Sequence, residues 1–260
     1  MDGLIKKKKK YNHFMKKFLY SLLSLIIFFL LWELGYRIFG DLVLPPILDT
    51  FSMFFQLLQE PEVLTNMIIT MKRIFIGLSA SILIASLFGV LAGFINPVAY
   101  MIQPIVTIML GMPSIAWIVL AMIWFGMGDP TVIFVVFVAT FPIIFLGSFA
   151  GMQSIDKNLL TMADSFELSL KTRLINIYFP HIFSFIFPAW LTAIGLSWKI
   201  VIMAELISSD DGMGSLLAIA RSHIDTTSVM ALLMLMVSLL IVFERLFLDP
   251  MKQRLESWRR

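Results

Sequence analysis

Few residues of this chain are placed to do covalent chemistry. The three histidines, His13, His181 and His223, lie on different segments, and no two have the spacing of a metal-ligand pair. No Cys is present, which removes disulfides and thiolate ligands. No carboxylate pair stands at a spacing that suggests acid–base work. The sequence contains no GxxxxGK[ST] phosphate loop, no GxSxG and no HExxH. No catalytic residue, metal site or cofactor is therefore expected, and the chain does not itself bind ATP through a phosphate loop. The charge that does stand out is Lys199, inside an apolar run where a charge is costly and a functional role is the default reading. At about 100° per residue Lys199 and Glu205 are about 240° apart on one helix and do not meet within one copy. Lys199 suits either a water-filled path that attracts an anion or an ion pair with a carboxylate such as Glu205 or Glu244.

The elements that must hold these charges are membrane spans. Hydrophobic residues make up 59% of the 260 and charged ones 14%, where a soluble domain would be nearer a quarter charged. Apolar runs cover 18–40, 67–95, 98–126, 131–152, 183–207 and 228–248, each about the length a helix needs to cross a bilayer. The fold expected is an all-α membrane protein with six spans and no second domain. Pro113, in "GMPSIAW", should kink or break the third run. Pro45 and Pro46 close the first span, and 47–58 reads as a short amphipathic helix on the membrane surface. The first run follows a basic head and lacks the short core and small-residue cleavage site of a signal peptide, so it reads as an uncleaved span.

Charge sets the orientation. The head, residues 1–17, carries Lys6 to Lys10, Lys16 and Lys17, and the tail, 249–260, carries Lys252, Arg254, Arg259 and Arg260. With Lys157, Lys171, Arg173 and Arg245 these are most of the 20 Lys and Arg residues. Asp41, Asp49, Glu60, Glu62, Asp129, Asp210, Asp211 and Asp225 fall on the other side. The positive-inside bias places both termini in the cytoplasm. The polylysine head is a topology signal, and no nucleic-acid partner is expected. Glu33 and Arg37, four residues apart, read as a structural ion pair, while Lys72 and Arg73 are expected to snorkel outward at the start of the second span.

One inside stretch is unusual. "SIDKNLLTMADSFELSLKTRLINIYFPHI", 154–182, is charged yet helical in pattern. On a helix over 156–170, Leu159, Met162, Ala163, Phe166 and Leu170 form one apolar stripe, with Asp156 as N-cap and Asp164, Glu167 and Lys171 off the stripe. Pattern alone fits a helix lying on lipid headgroups or one docked into another protein.

The stretch resembles the cytoplasmic "EAA" loop of permease subunits in binding-protein-dependent ABC importers. Counting back thirteen residues from Pro180 in "IYFP" puts Glu167 at that loop's Gly, with Thr161, Met162 and Ala163 at the acid–Ala–Ala trio. Ala163, Ser169 and Phe179–Pro180 agree well, whereas Glu167 departs from the pattern and puts the turn in question. "GMPSIAWIVLAMIWFGMGDPTVIF" (111–134), "TFPIIFLGSFAGMQSIDKNLL" (140–160) and "SWKIVIMAELISSDDGMGSLLAIARSHIDTTSV" (197–229) resemble the nitrate/sulfonate/taurine branch, as do "LPPILDTF" and the tail "LESWRR". The resemblance covers about 30–260. It implies a type I ABC importer permease core with an added N-terminal span, in the cell inner membrane. It implies a path for a small solute, sulfonate, taurine, nitrate or vitamin-precursor-like, delivered by an extracytoplasmic binding protein. It implies cytoplasmic ATPases coupled through 153–182, by Thr161, Ala163, Asp164, Phe166, Glu167, Ser169 and Pro180. It implies a second permease copy, with a path or gate near Pro113, Trp117, Lys199, Glu205, Gly212 and Gly214. The rival reading is a secondary transporter or channel working without ATPases. Its marks would be intramembrane acid clusters or an inverted repeat, and the sequence shows neither.

Overall fold

The computed structural model describes residues 2–250. Every regular element among them is helical: α1 (Asp2–Phe39), α2 (Ile47–Leu57), α3 (Pro61–Phe94), α4 (Asn96–Gly111), α5 (Ser114–Phe125), α6 (Asp129–Gln153), α7 (Lys157–Ser165), α8 (Leu170–Arg173), α9 (Phe179–Ser208), α10 (Met213–Ser222) and α11 (Thr226–Phe243). The tail bases Lys252, Arg254, Arg259 and Arg260 and the head's lysine side chains lie outside the described residues. Prolines open α3, α4 and α6 within their first two positions, where a missing N–H costs no helical bond.

Five stretches are long and apolar enough to cross a membrane: Leu19–Phe39, Pro61–Phe94, Asp129–Gln153, Leu170–Ser208 and Thr226–Leu246. The remaining pair, α4 and α5, bends by 105° at Met112–Pro113, so the expected kink is a full break. Packing decides whether this pair crosses. A Cβ on Gly77 would lie 2.8 Å from the Ile133 carbonyl, one on Gly89 2.6 Å from that of Phe145, and one on Gly93 2.5 Å from Met152 Cβ. The contacts advance together along both chains, so α3 and α6 run parallel. The chain must return between them, and α4–α5 is the only route back. It is a broken sixth span. Against α9, α6 runs antiparallel: Gly147 faces Ala189, and Gly151 faces Ile182 and Phe185. The 153–182 stretch therefore lies at one end of the bundle, and 126–128 and 209–212 at the other.

Several element boundaries differ from expectation. The second span begins at Pro61, a turn and a half before 67. The helix expected over 156–170 stops at Ser165. Surface helix α2 is not simply laid on lipid, because Leu57, Met53 and Phe54 pack into the cluster built by α10 and α11. The pair Glu33–Arg37 forms as expected at 3.0 Å. Helix α1 stands clear of the bundle, with none of its apolar window buried. Its anchor is Trp32, whose Nε1 donates to the Pro45 carbonyl at 2.9 Å.

Two π-helical turns, Leu174–Tyr178 and Glu244–Leu248, interrupt otherwise α-helical stretches. In each, the residue just after the turn donates its N–H five positions back, Phe179 to Leu174 and Asp249 to Glu244, and a proline follows at once. Pro180 and Pro250 have no N–H for the carbonyl four residues before them, and the wider turn takes up that lost register.

The close approach of α3 to α6 gives a test. Gly89→Leu must force a side chain against α6 backbone and should destabilise the detergent-purified protein by about 3 kcal/mol or more. Gly111→Ala, where a Cβ would meet nothing within 4 Å, should leave the thermal midpoint unchanged within error.

Candidate functional site

At the 153–182 end, the residues expected to couple to an ATPase form a compact helix–turn–helix. Asp156 Oδ1 accepts the Asn158 N–H at 2.8 Å and starts α7. The helix closes in a Schellman motif: Leu168 N–H donates to the Ala163 carbonyl at 3.0 Å and Glu167 N–H to that of Asp164 at 3.0 Å. The motif requires a left-handed residue at the position of Glu167, whose φ is +48°. A left-handed turn that a Gly would make freely is thus made by a Glu, at a steric cost. This is why α7 ends before Phe166, which no local sequence signal marks. Ser169 Oγ then accepts the Thr172 N–H at 3.2 Å and starts α8. Arg173 ties the two helices together: its Nε donates to the Leu168 carbonyl at 2.9 Å, Nη2 to that of Ala163 at 3.2 Å, and Nη1 pairs with Asp164.

The apolar stripe divides. Ala163 is buried at 0%, and Leu159, Met162, Phe166 and Leu170 are exposed, Phe166 at 71%. Thr161, Asp164, Glu167 and Ser169 are exposed beside them, and Pro180 opens α9.

At the opposite end lies a buried ion cluster that sequence reading missed. Arg73, 1% exposed, does not snorkel. Its Nε donates to Asp129 Oδ1 at 2.7 Å, its Nη1 to Glu205 Oε1 and the Asp211 carbonyl, both at 2.9 Å, and its Nη2 to Asp211 Oδ1. An Arg turns inward here because the guanidinium fork finds three carboxylates, where outward it would find lipid. Glu205, 0% exposed, also accepts from Thr70 Oγ1 at 2.8 Å and from the Gly214 N–H at 3.0 Å. Thr70 Oγ1 accepts the Met213 N–H at 2.9 Å, and Asn66 Oδ1 the Gly212 N–H at 2.6 Å. A Cβ at Gly212, φ +95°, would fall on the Glu205 carboxylate, and one at Gly214 within 2.5 Å of the Ile202 carbonyl. The glycines are required by this close approach. Burial alone would raise the pKa of Asp211, but hydrogen bonds from Ser209 and Arg73 outweigh it and hold the carboxyl below its usual range. Its contribution to stability is therefore present above the ordinary Asp pKa and is lost as pH falls through the lowered one.

Of the residues expected at a path or gate, Glu205, Gly212 and Gly214 meet in this cluster. Pro113 sits exposed at the α4–α5 break, and Trp117 on α5 is half-buried against the core of α3, α6 and α9. Lys199 does not pair with Glu205, which is taken by Arg73; it is exposed and makes no ion pair among the described residues. Lys72 is exposed, 3.7 Å from Asp129. Arg73 reads as a snorkelling residue when the span is started at 67, because that leaves it near the edge, and its link to Thr70 and Asp129 then has no signal. Begun at Pro61, the span places it well inside, where a charge marks itself.

Residues 81–256 match the family described as the binding-protein-dependent transport system inner membrane component. The chain belongs to this family. It is a permease of a binding-protein-dependent ABC importer, a multi-pass protein of the inner membrane, and the family implies ATPase and substrate-binding protein partners. The permease is similar to a putative ABC transporter permease of Methanocaldococcus jannaschii, 26% identical over 198 residues, 74% of each chain. It is also similar to the taurine transport system permease of Escherichia coli, 25% identical over 73% of this chain and 68% of that one. The nitrate import permease of Synechococcus elongatus is 24% identical over 78% of this chain and 76% of its own.

Arg73 can be tested alone and with its partner. In the purified permease, Arg73→Met should cost about 3–5 kcal/mol, since it leaves Glu205 buried and uncompensated. Adding Glu205→Leu should recover part of that loss, read from thermal midpoints in a double-mutant cycle. Additive losses would mean that the two charges do not compensate each other.

Proposed function

We propose that residues 153–182 dock a cytoplasmic ATPase and that a binding protein delivers a small solute at the opposite end, near 209–214. The observation that carries the reading is the α7–α8 helix–turn–helix: a polar-capped element at one end of the bundle that leaves Leu159, Met162, Phe166 and Leu170 exposed. An apolar face of this kind needs a partner. Its Arg173–Asp164 clamp makes it a firm body, suited to pass a displacement into α9, which follows it directly. Thr161, Ala163, Asp164, Phe166, Glu167, Ser169 and Pro180 are the coupling residues on this reading. Both termini then lie in the cytoplasm, with 1–17 a basic head, 18–248 the six-span domain and 249–260 a basic tail. Hydrolysis belongs to the ATPase subunits. Two copies enclose the path, near Pro113, Trp117 and Lys199, with Glu205, Gly212 and Gly214 at its outer gate. The relatives' names support a solute of the taurine, nitrate or sulfonate kind.

Phe166→Ala should leave insertion and thermal stability unchanged, because the side chain is 71% exposed in the isolated chain. It should weaken capture of the ATPase about thirtyfold or more, the loss of an interface hot spot. Glu167→Gly should raise the thermal midpoint, relieving a left-handed residue worth roughly 1–2 kcal/mol, with transport retained. Unaltered ATPase capture by Phe166→Ala would refute docking at α7. Orientation is checked by single-Cys labelling: Cys at 171 should be shielded from impermeant reagent in intact cells and Cys at 210 labelled. The reverse pattern would overturn the topology.

A further inference from the structure

Helix α9 shows two faces to its surroundings. One, with Ile186, Ala193, Ile200 and Ala204, is buried in the bundle. The other carries Ser184, Pro188, Thr192 and Lys199, all exposed, then Met203 at 36%. These positions recur every three or four residues, as one face of a helix does once Gly195 fills the gap. A Cβ at Gly195 would meet nothing within 4 Å. Lipid-facing positions elsewhere in this chain are large and apolar: Phe75 at 74%, Leu83 at 71%, Leu87 at 58%. The open face of α9 is small and polar instead.

The charge on that face has no counterpart. Glu33 has Arg37, and Arg73 has three carboxylates, but Lys199 makes no ion pair among the described residues. It lies nine residues from Ser208, the end of α9, or about 14 Å along the helix axis. Half of a hydrocarbon core is about 15 Å, so with Ser208 at its edge Lys199 stands near the midplane. A cation held there needs water or an anion.

We propose that this face of α9 lines the translocation path and that Lys199 binds the anionic group of the solute as it passes, so that the permease carries anions. The proposal rests on the importer reading and names its substrate class from this chain's own residues. Lys199 supplies a point charge with three donors, which fits a compact oxyanion such as a sulfonate or nitrate without demanding one geometry.

The permease has no native Cys, so a single introduced thiol can report on the path without any known solute. Gly195→Cys, one turn from Lys199, is labelled in membranes that contain the permease with its ATPase. The probes are the anionic 2-sulfonatoethyl and the cationic 2-(trimethylammonium)ethyl methanethiosulfonates. At about 6 Å in water a unit charge changes the local concentration of either reagent about threefold, in opposite senses. The anionic-to-cationic rate ratio should therefore fall about tenfold when Lys199→Gln is added. A thiol at 195 inert to both reagents, or a ratio unmoved by Lys199→Gln, overturns the proposal. If Gly195→Cys fails to insert, Thr192→Cys carries the same test with a fall of about fourfold. Capture of the ATPase in the same membranes reports on the importer reading separately and does not enter the ratio.

Discussion

A single guanidinium fixes the geometry at the 209–214 end of this permease. Arg73 comes from α3, Asp129 from the start of α6, Glu205 from the last turns of α9, and Asp211 from the loop beyond it. Three separate spans and one loop thus meet at one planar fork. The arrangement is asymmetric in solvent exposure: Arg73 and Glu205 are sealed, whereas Asp129 and Asp211 are half-open at 41% and 52%. Dispersing the counter-charge this way leaves only one carboxylate to be desolvated fully. That one is bound by an Arg, a Thr and a backbone N–H, the number of donors a buried carboxylate needs. Glycines at 212 and 214 follow as a consequence, since the backbone that donates to Glu205 must approach where a side chain would collide.

The opposite end is organised by backbone rules instead of by charge. Helix α7 is stopped by a Schellman motif that Glu167 completes at a steric cost, and Arg173 reaches back over the turn to three acceptors. The two ends are joined by α9, an unbroken helix from Phe179 to Ser208. One end of that rod begins beside the helix–turn–helix and the other contains Glu205.

What sequence reveals here follows from the range of each interaction. Run length and polarity give the six crossings, and Pro113 gives the break in the third. The pairings of Arg73 span 56, 132 and 138 positions, and no local period carries that information. Ala163 was legible as part of the stripe, but not as its one buried member, because burial depends on where α8 folds back. The end of α7 at Ser165 was hidden for a different reason: a Glu in the left-handed region gives no sign of itself, where a Gly would have. Lys199 is the converse case. A lone charge in an apolar run is plain in the sequence; that Glu205 is occupied by Arg73 is not.

The π turns ahead of Pro180 and Pro250 have a consequence for phase. A π turn holds one residue more than the α turn it replaces, and one residue is about 100° of rotation. All that precedes Leu174, including α7 and its exposed Phe166, is thereby rotated about α9 by roughly that angle relative to a straight continuation. The direction in which the helix–turn–helix faces is thus set by the absence of a hydrogen on one proline nitrogen. A proline 179 or 181 would turn the same segment, unchanged in itself, toward a different azimuth. In that sense Pro180 acts as an indexing pin between a membrane rod and the piece mounted on it.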